Sequence, residues 1–272
     1  MQVVGVQRAL RFSPHNEAND LAILQAVVTP LGGTIVNEEA DELAAVLLSA
    51  DVVLSMARTP AALHLLDGAI QRGVCVLNPA EGVRNCHRTV LNQLCTAFSI
   101  PVPSSEGVDG YWLKRADAAA QSHEDVVFCT DRDALQQAVR VFRQRGITDY
   151  LVQAHQRGDL VKFYGVLGTG FFRTFYPGDD GQSKFGDETR NGRPHHYAFP
   201  LQALQSASER LASAAHCPIY GGDAIIGADG TFTLIDFNDW PSFSRCRDEA
   251  AAAIRQLVHS FAPQGACLTC EK

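Results

Sequence analysis

Asp223, Asp236 and Asn238 carry side chains of the kind that hold a hard cation, and they fall within one short stretch, Gly221 to Trp240, that reads GGDAIIGADGTFTLIDFNDW. Two runs rich in Ile, Thr, Phe and Leu flank an Asp229-Gly230 pair, the residue choice for a tight two-residue turn, so the stretch predicts a β-hairpin. In that register Ala228 faces Thr231 and, counting back along both strands, Asp223 faces Asp236. Asn238 lies two positions farther on and shares their face. Two carboxylates and an amide oxygen suit Mg²⁺, which takes a few protein oxygens together with phosphate oxygens and water. On the hairpin alone, the same residues also fit the solvated face of an ordinary antiparallel pair.

Cations elsewhere in the chain could meet the phosphates that such a site implies. Lys114 closes an otherwise aromatic and apolar strand, GYWLKR, and Lys162 lies on the first strand of a hairpin-like pair, QRGDLVKFYGVLGTGFF. His87 and Arg88 fall in the first turn of a helix, where a cation gains nothing from the helix dipole unless it meets an anion. Arg245 and Arg247 stand beside the start of a last helix, supplied by Ser242 or Ser244, and a helix start with two guanidiniums is a ready anion site. Taken singly, each of these cations also fits simple solvent exposure.

The elements that must position them follow from periodicity. From Met1 to about Pro79, β-branched runs alternate with helical patterns: VVGV, Asn16 to Val28, GTIV, Glu42 to Leu48, DVVLSM, Thr59 to Gln71 and VCVLN. That alternation predicts crossover units and a parallel sheet, without a GxGxxG dinucleotide fingerprint. A helix with Val90, Leu91, Leu94, Ala97 and Phe98 on one face follows, capped by Asn85 and stopped by Pro101 and Pro103. Residues Tyr111 to His155 read as strand, loop, strand, helix, strand, with Asp131 as N-cap, Leu135, Ala138, Val139 and Phe142 as the buried stripe, and Gly146 as the stop. The segment Arg173 to Phe199, which contains Lys184, Arg190, Arg193, His195 and His196, reads as a mobile active-site loop or as plain disorder. A helix from Leu201 to Ala215 then leads into the hairpin.

Bulk properties narrow the class. A chain of 272 residues, 46% hydrophobic and 19% charged, buries a substantial core. A net charge of −7 argues against a nonspecific nucleic-acid binder. No leader pattern or membrane-length apolar stretch is visible, so a cytoplasmic monomer or homodimer acting on a small molecule is expected. The eight cysteines are expected to be reduced thiols, and the lone Cys267-x-x-Cys270 lacks partners for a zinc site.

From about Asn78 to Val258 the order of elements resembles an ATP-grasp enzyme, and the ending GGDAIIGADGTFTLIDFNDWP is similar to that family's acidic hairpin. The resemblance implies an α/β fold, α+β in its catalytic part. An accessory α/β domain would span 1–80, a linking helix 81–110, a lid 111–154 and a catalytic core 155–262, with a tail at 263–272. It also implies ATP and Mg²⁺, with Asp223, Asp236 and Asn238 as metal ligands. Lys114, Gln153, Arg88 and Lys162 would contact ATP, Lys162 and Arg245 would act in catalysis, and His123, Arg245 and Arg247 would grip an anionic acceptor. Three features depart from the family pattern: Arg88 in place of a lysine, the glycine-free loop ADAAAQSHED, and Ser242 where ligases commonly have Gly.

Two branches compete for the function. The lid sequence LKRADAAAQSHEDVVF and the Asp-x-Asn ending look like the inositol trisphosphate kinase branch, whereas DVVLSM and GVCVLNPAEGV look closer to the bacterial ribosomal-protein glutamate ligases. The kinase is the leading expectation, a carboxylate-amine ligase working through an acyl phosphate is the alternative, and a non-catalytic nucleotide-binding protein is the third.

Overall fold

The computed structural model describes residues 1–14, 16–116, 122–179 and 190–261. Its first sheet is built from β1 (Val3–Gln7), β2 (Thr34–Asn37), β3 (Val52–Ser55) and β4 (Cys75–Leu77), with α1 (Glu17–Val28), α2 (Leu43–Leu48) and α3 (Pro60–Gln71) as crossovers. All pairs are parallel, in the order β2-β1-β3-β4. The alternation of β-branched runs and helices dictates this, because parallel neighbours need a crossover and the crossovers cover both faces. Val3, Val52 and Leu54 pack on one side with α1, and Val4, Val6, Val53 and Val76 pack on the other with α2 and α3.

The chain leaves β1 for β2 on one side and later places β3 on the other. The carboxyl ends of β1 and β3 therefore flank the crevice where open α/β sheets receive ligands. Here the crevice is filled from within. Glu38 Oε1 accepts the backbone N–H of Ala9 at 2.6 Å, and Oε2 accepts those of Arg58 and Thr59 at 2.8 and 2.6 Å.

Two short helices follow, α4 (Ala80–Asn85) and α5 (Arg88–Ala97). The expected cap at Asn85 is corrected: Asn85 closes α4 and donates to Ala215 O, while His87 precedes α5 without a side-chain cap bond. The apolar face of α5 also differs, since Leu91 and Cys95 are buried but Ala97 and Phe98 are exposed. Leu91 and Cys95 stand one turn apart within α5, whereas Ala97 and Phe98 fall at its end, where Phe98 closes the helix and the expected stripe runs off the packed face.

The second sheet, in the order β6-β5-β7, joins β5 (Tyr111–Arg115), β6 (Val126–Cys129) and β7 (Tyr150–Ala154), all antiparallel and backed by α6 (Arg132–Gln144). Asp131 caps α6 by accepting Ala134 N–H at 2.8 Å, and Gly146, at φ +78°, stops it. Leu113, Phe142 and Ile147 are the fully buried members of its core. At roughly 1.5–3 kcal/mol per buried apolar side chain, this smaller cluster contributes less than the cores of the other two sheets, so the second sheet is the most lightly held of the three.

The third sheet, in the order β11-β10-β8-β9, contains β8 (Asp159–Val166), β9 (Phe171–Phe175), β10 (Ile219–Ile226) and β11 (Phe232–Asp239). Helix α7 (Leu201–Ala214) packs on it through Leu204, Ala207 and Leu211. Helix α8 (Arg247–Phe261) packs Ala250, Ile254 and Val258 into the core shared with α1. It begins at Arg247, so neither Ser242 nor Ser244 adjoins its first residue as expected. Arg173 lies on β9 rather than in the long loop. The described stretch 190–199 of that loop is tied down by buried Asp159, which accepts the N–H groups of His195 and Tyr197 at 2.8 and 3.0 Å. Lys184, the residues 117–121 and the Cys267/Cys270 pair lie outside the described residues.

Candidate active site

The acidic hairpin forms as expected, but its register carries a correction. Near the turn, Ile226 pairs with Phe232 and Ala224 with Leu234, so the loop is longer than two residues and Gly227 N–H reaches Thr231 O. A β-bulge between Asp223 and Ala224 then sets Asp223 opposite Asp236, and Gly221 opposite Asn238. The bulge inserts Ile235 into β11: without it the longer loop would set Asp223 opposite Ile235, and with it the facing of the two acids that a tight turn would give is restored. Gly222 permits the close approach here: a Cβ on it would lie 2.4 Å from the backbone oxygen of Asp236.

Ile235 has a second use. Its carbonyl accepts Lys114 Nζ at 2.7 Å, across from the second sheet. The extra residue thus supplies the docking point for the one lysine of β5.

Reading across the third sheet, Phe175, Lys162, Asp223 and Asp236 form one row, and Arg173, Tyr164, Gly221 and Asn238 the next. Lys162 Nζ stands 3.0 and 3.2 Å from the two oxygens of Asp223. Burial works to raise the pKa of Asp236, but Arg88, Lys114, a hydrogen bond from Asn238 and Lys162 together outweigh it and hold it below the ordinary carboxylate value. Burial lowers Lys114 to about 8, with Arg88 adding to the effect and Asp236 and Asp223 opposing it. Arg88 Nη1 donates to Arg115 O at 2.7 Å, which fixes α5 against β5.

Arg88, Lys114, Gln153 and Asp236 line one narrow cleft of about 40 Å³ between the second and third sheets, with Leu91, Leu151 and Leu234 as its apolar walls. Gln153 is buried there, and its Oε1 has no hydrogen-bond partner among the described residues. A larger open groove, about 640 Å³ and lined by Pro101, Phe199 and Asp229 to Phe232, lies at the hairpin tip, away from the acids.

Not every expected residue converges. Arg245 stands near Phe175, its guanidinium carbon 5.7 Å from the ring centroid, on the same side as Tyr164. Arg247 turns instead to α1, donating to Asn19 Oδ1 at 2.8 Å. His123 is exposed on a short 3₁₀ turn of the second unit. The Ser-His-Glu motif around it is a capping box, with Ser122 and Asp125 bonded reciprocally and Asp125 held by Arg145 at 2.6 Å.

Sequence reasoning missed Arg58, Asp239 and Tyr164. Tyr164 was legible from strand alternation, two places after Lys162. Arg58 Nη2 meets Asp239 Oδ1 at 2.5 Å from 181 residues away, and no local signal marks that pair.

No protein-family model and no curated protein matches the sequence. The three-sheet arrangement, however, is shared with solved structures along nearly its whole length. D-alanine–D-alanine ligase from Bacillus anthracis superposes with a TM-score of 0.64 at 11% identity, covering 97% of each chain. A RimK domain protein, titled ATP-grasp, from Sphaerobacter thermophilus gives 0.60 at 19% identity, over 95% of this chain and 100% of that one. This chain has the ATP-grasp fold. The Bacillus anthracis ligase complexed with ATP superposes as well, with a TM-score of 0.61 at 9% identity, over 95% of this chain and 99% of the other. The likeness covers 95–97% of this chain and so extends beyond the Asn78 to Val258 region in which the sequence resembles the family.

The donor set fits magnesium. Among the described residues no group of three His, Cys, Asp or Glu side chains is placed to hold a metal ion by itself. Two carboxylates and one amide oxygen on a single sheet face are an open set, the kind Mg²⁺ completes with phosphate oxygens and water. No helix among the described residues is long and apolar enough to cross a membrane.

Proposed function

We propose that this protein is an ATP-dependent carboxylate-amine ligase. The observation that carries the reading is the row Lys162, Asp223, Asp236 on one sheet face, met from the opposing sheet by Lys114. Two sheets thus present acids and cations to one cleft, as a nucleotide triphosphate with its cation requires.

Asp223, Asp236 and Asn238 would hold Mg²⁺, which when bound neutralises developing charge on the β- and γ-phosphates. Lys114 and Arg88 would hold phosphate oxygens from the second sheet and α5. The unpartnered Gln153 Oε1 offers an acceptor for an exocyclic amine of the base, between Leu151 and Leu234. The cleft as it stands is smaller than a nucleotide, so the lightly held second sheet has to part from the third, exchanging the bond between Lys114 and Ile235 for bonds to ligand. Lys162 would release Asp223 to the cation and turn to the transferring group. Arg245 would face the acceptor beside Tyr164, where a guanidinium stabilises both an incoming carboxylate and the oxyanion formed when an amine attacks the acyl phosphate.

The ligase is preferred to the kinase for two reasons. The solved structures that match along the full chain include D-alanine–D-alanine ligases, and the Ser-His-Glu motif that favoured an inositol phosphate acceptor is explained by local capping. The test is coupled ADP release from Mg-ATP with free phosphate read in parallel. ADP matched by phosphate, and dependent on both a carboxylate and an amine, is expected. ADP without phosphate on phosphorylated inositols would replace the ligase with the kinase, and ATP binding without turnover in either pool would leave a nucleotide-binding protein.

A further inference from the structure

We propose that Arg58 is a positioning residue for the metal-binding end of β11, fixing Asn238 by holding its neighbour Asp239. This rests on the reading of Asp223, Asp236 and Asn238 as magnesium ligands.

Asn238 is exposed and pairs with Gly221, which has no side chain to buttress it, so its side-chain hydrogen bond goes to its fellow ligand Asp236. Directly after Asp239 the chain turns away through Trp240, at φ +37°, so Asn238 sits one residue from the end of its strand. Such an end frays unless something grips it. Buried Trp240 anchors the chain beyond it, donating its backbone N–H to Ile219 O and its indole N–H to Leu77 O, each at 3.1 Å. The side-chain grip on the strand itself comes from the opposite face. Asp239 is 1% exposed, and its Oδ1 lies 2.5 Å from Arg58 Nη2. Its Oδ2 has no hydrogen-bond partner among the described residues, so Arg58 is what orients that carboxylate. The next residue is held in the same way, by Arg8 Nη2 donating to Trp240 O at 2.6 Å.

Arg58 is itself aimed by the filled crevice of the first sheet, where Glu38 accepts its backbone N–H. The route is thus continuous: Glu38 sets the turn after β3, the turn aims Arg58, Arg58 fixes Asp239, and the backbone carries that constraint to Asn238. Loss of a partner bonded directly to a metal ligand costs roughly 10–100-fold in metal affinity, and Arg58, acting one residue away through the backbone, should fall at the lower end of that range.

The test is Mn²⁺ binding followed by electron paramagnetic resonance, with Asp236→Ala as the blank and circular dichroism to confirm folding. Asp239→Asn keeps the shape of the side chain and removes its charge, and it should weaken Mn²⁺ binding about tenfold. Arg58→Ala should do the same and Arg58→Lys should recover part of the loss, while ATP affinity measured in EDTA stays at the wild-type value. Wild-type Mn²⁺ affinity in folded Asp239→Asn would overturn the inference. Equal losses of Mn²⁺ and EDTA-ATP binding would overturn it as well, by showing a general structural role. A wild-type protein whose Mn²⁺ binding matches that of Asp236→Ala would instead remove the metal site itself, and the proposed function with it.

Discussion

Two places in this molecule surround carboxylates with donors, and they do so differently. In the crevice of the first sheet, Glu38 is met by three backbone N–H groups, of Ala9, Arg58 and Thr59. In the cleft between the second and third sheets, Asp223 and Asp236 are met by the side chains of Lys162, Lys114 and Arg88. Backbone amides cannot move without unfolding the turns that carry them. Lysine and arginine side chains can swing away at small cost, so their carboxylates can exchange partners for a cation. Charge complementarity alone therefore does not mark a ligand site; the mobility of the complementing group does.

Four outcomes would break or sharpen that contrast. Asp236→Ala should lower ATP turnover on the order of 10³-fold or more, the scale on which charge-stabilising groups act in phosphoryl transfer, while thermal denaturation stays near wild type. A variant that retains full turnover would remove Asp236 from the mechanism. Glu38→Ala should behave oppositely, losing about 3 kcal/mol of stability in urea titration as buried N–H groups lose their acceptor. Its turnover per folded molecule should fall far less than that of Asp236→Ala, and an unchanged urea midpoint would show that water replaces the carboxylate.

The exchangeable side also predicts a pH dependence. Lys114 titrates at about 8, lowered first by burial, and only its protonated form attracts phosphate. Nucleotide affinity should be full below that value and fall as pH rises through it, by up to about tenfold per unit. Lys114→Arg, which keeps its proton, should flatten the profile. For folding the sign is opposite. Between about 8 and the unfolded lysine value near 10.4, the unfolded chain binds more protons, so the contribution of Lys114 to stability improves as pH rises. Smallest of all, Ser122→Ala should cost about 1 kcal/mol of stability in the second unit and leave turnover intact. A loss of turnover would return the Ser-His-Glu motif to the active site and the kinase to contention.

Much of this could be read from residue order. The alternation of β-branched runs and amphipathic segments determined the parallel first sheet, and Asp131 and Gly146 marked both ends of α6, because caps and periodicity are local properties. The facing of Asp223 and Asp236 was also legible, although by a count that assumed a tight turn and no bulge. Two displacements of one residue cancel at the acids, and the intervening pairs are shifted.

The sequence by itself determined which residue types were present to hold a cation and phosphates, and that strand alternation would put Asp236 and Asn238 on one face. Only the tertiary structure decided that Ile235 would bulge to receive Lys114, that Glu38 would close the crevice of the first sheet, and that Arg58 would reach Asp239. These contacts join residues up to 181 positions apart, between strand ends of one sheet or across separate sheets. No local propensity encodes them, because each depends on where independently formed elements come to rest against one another.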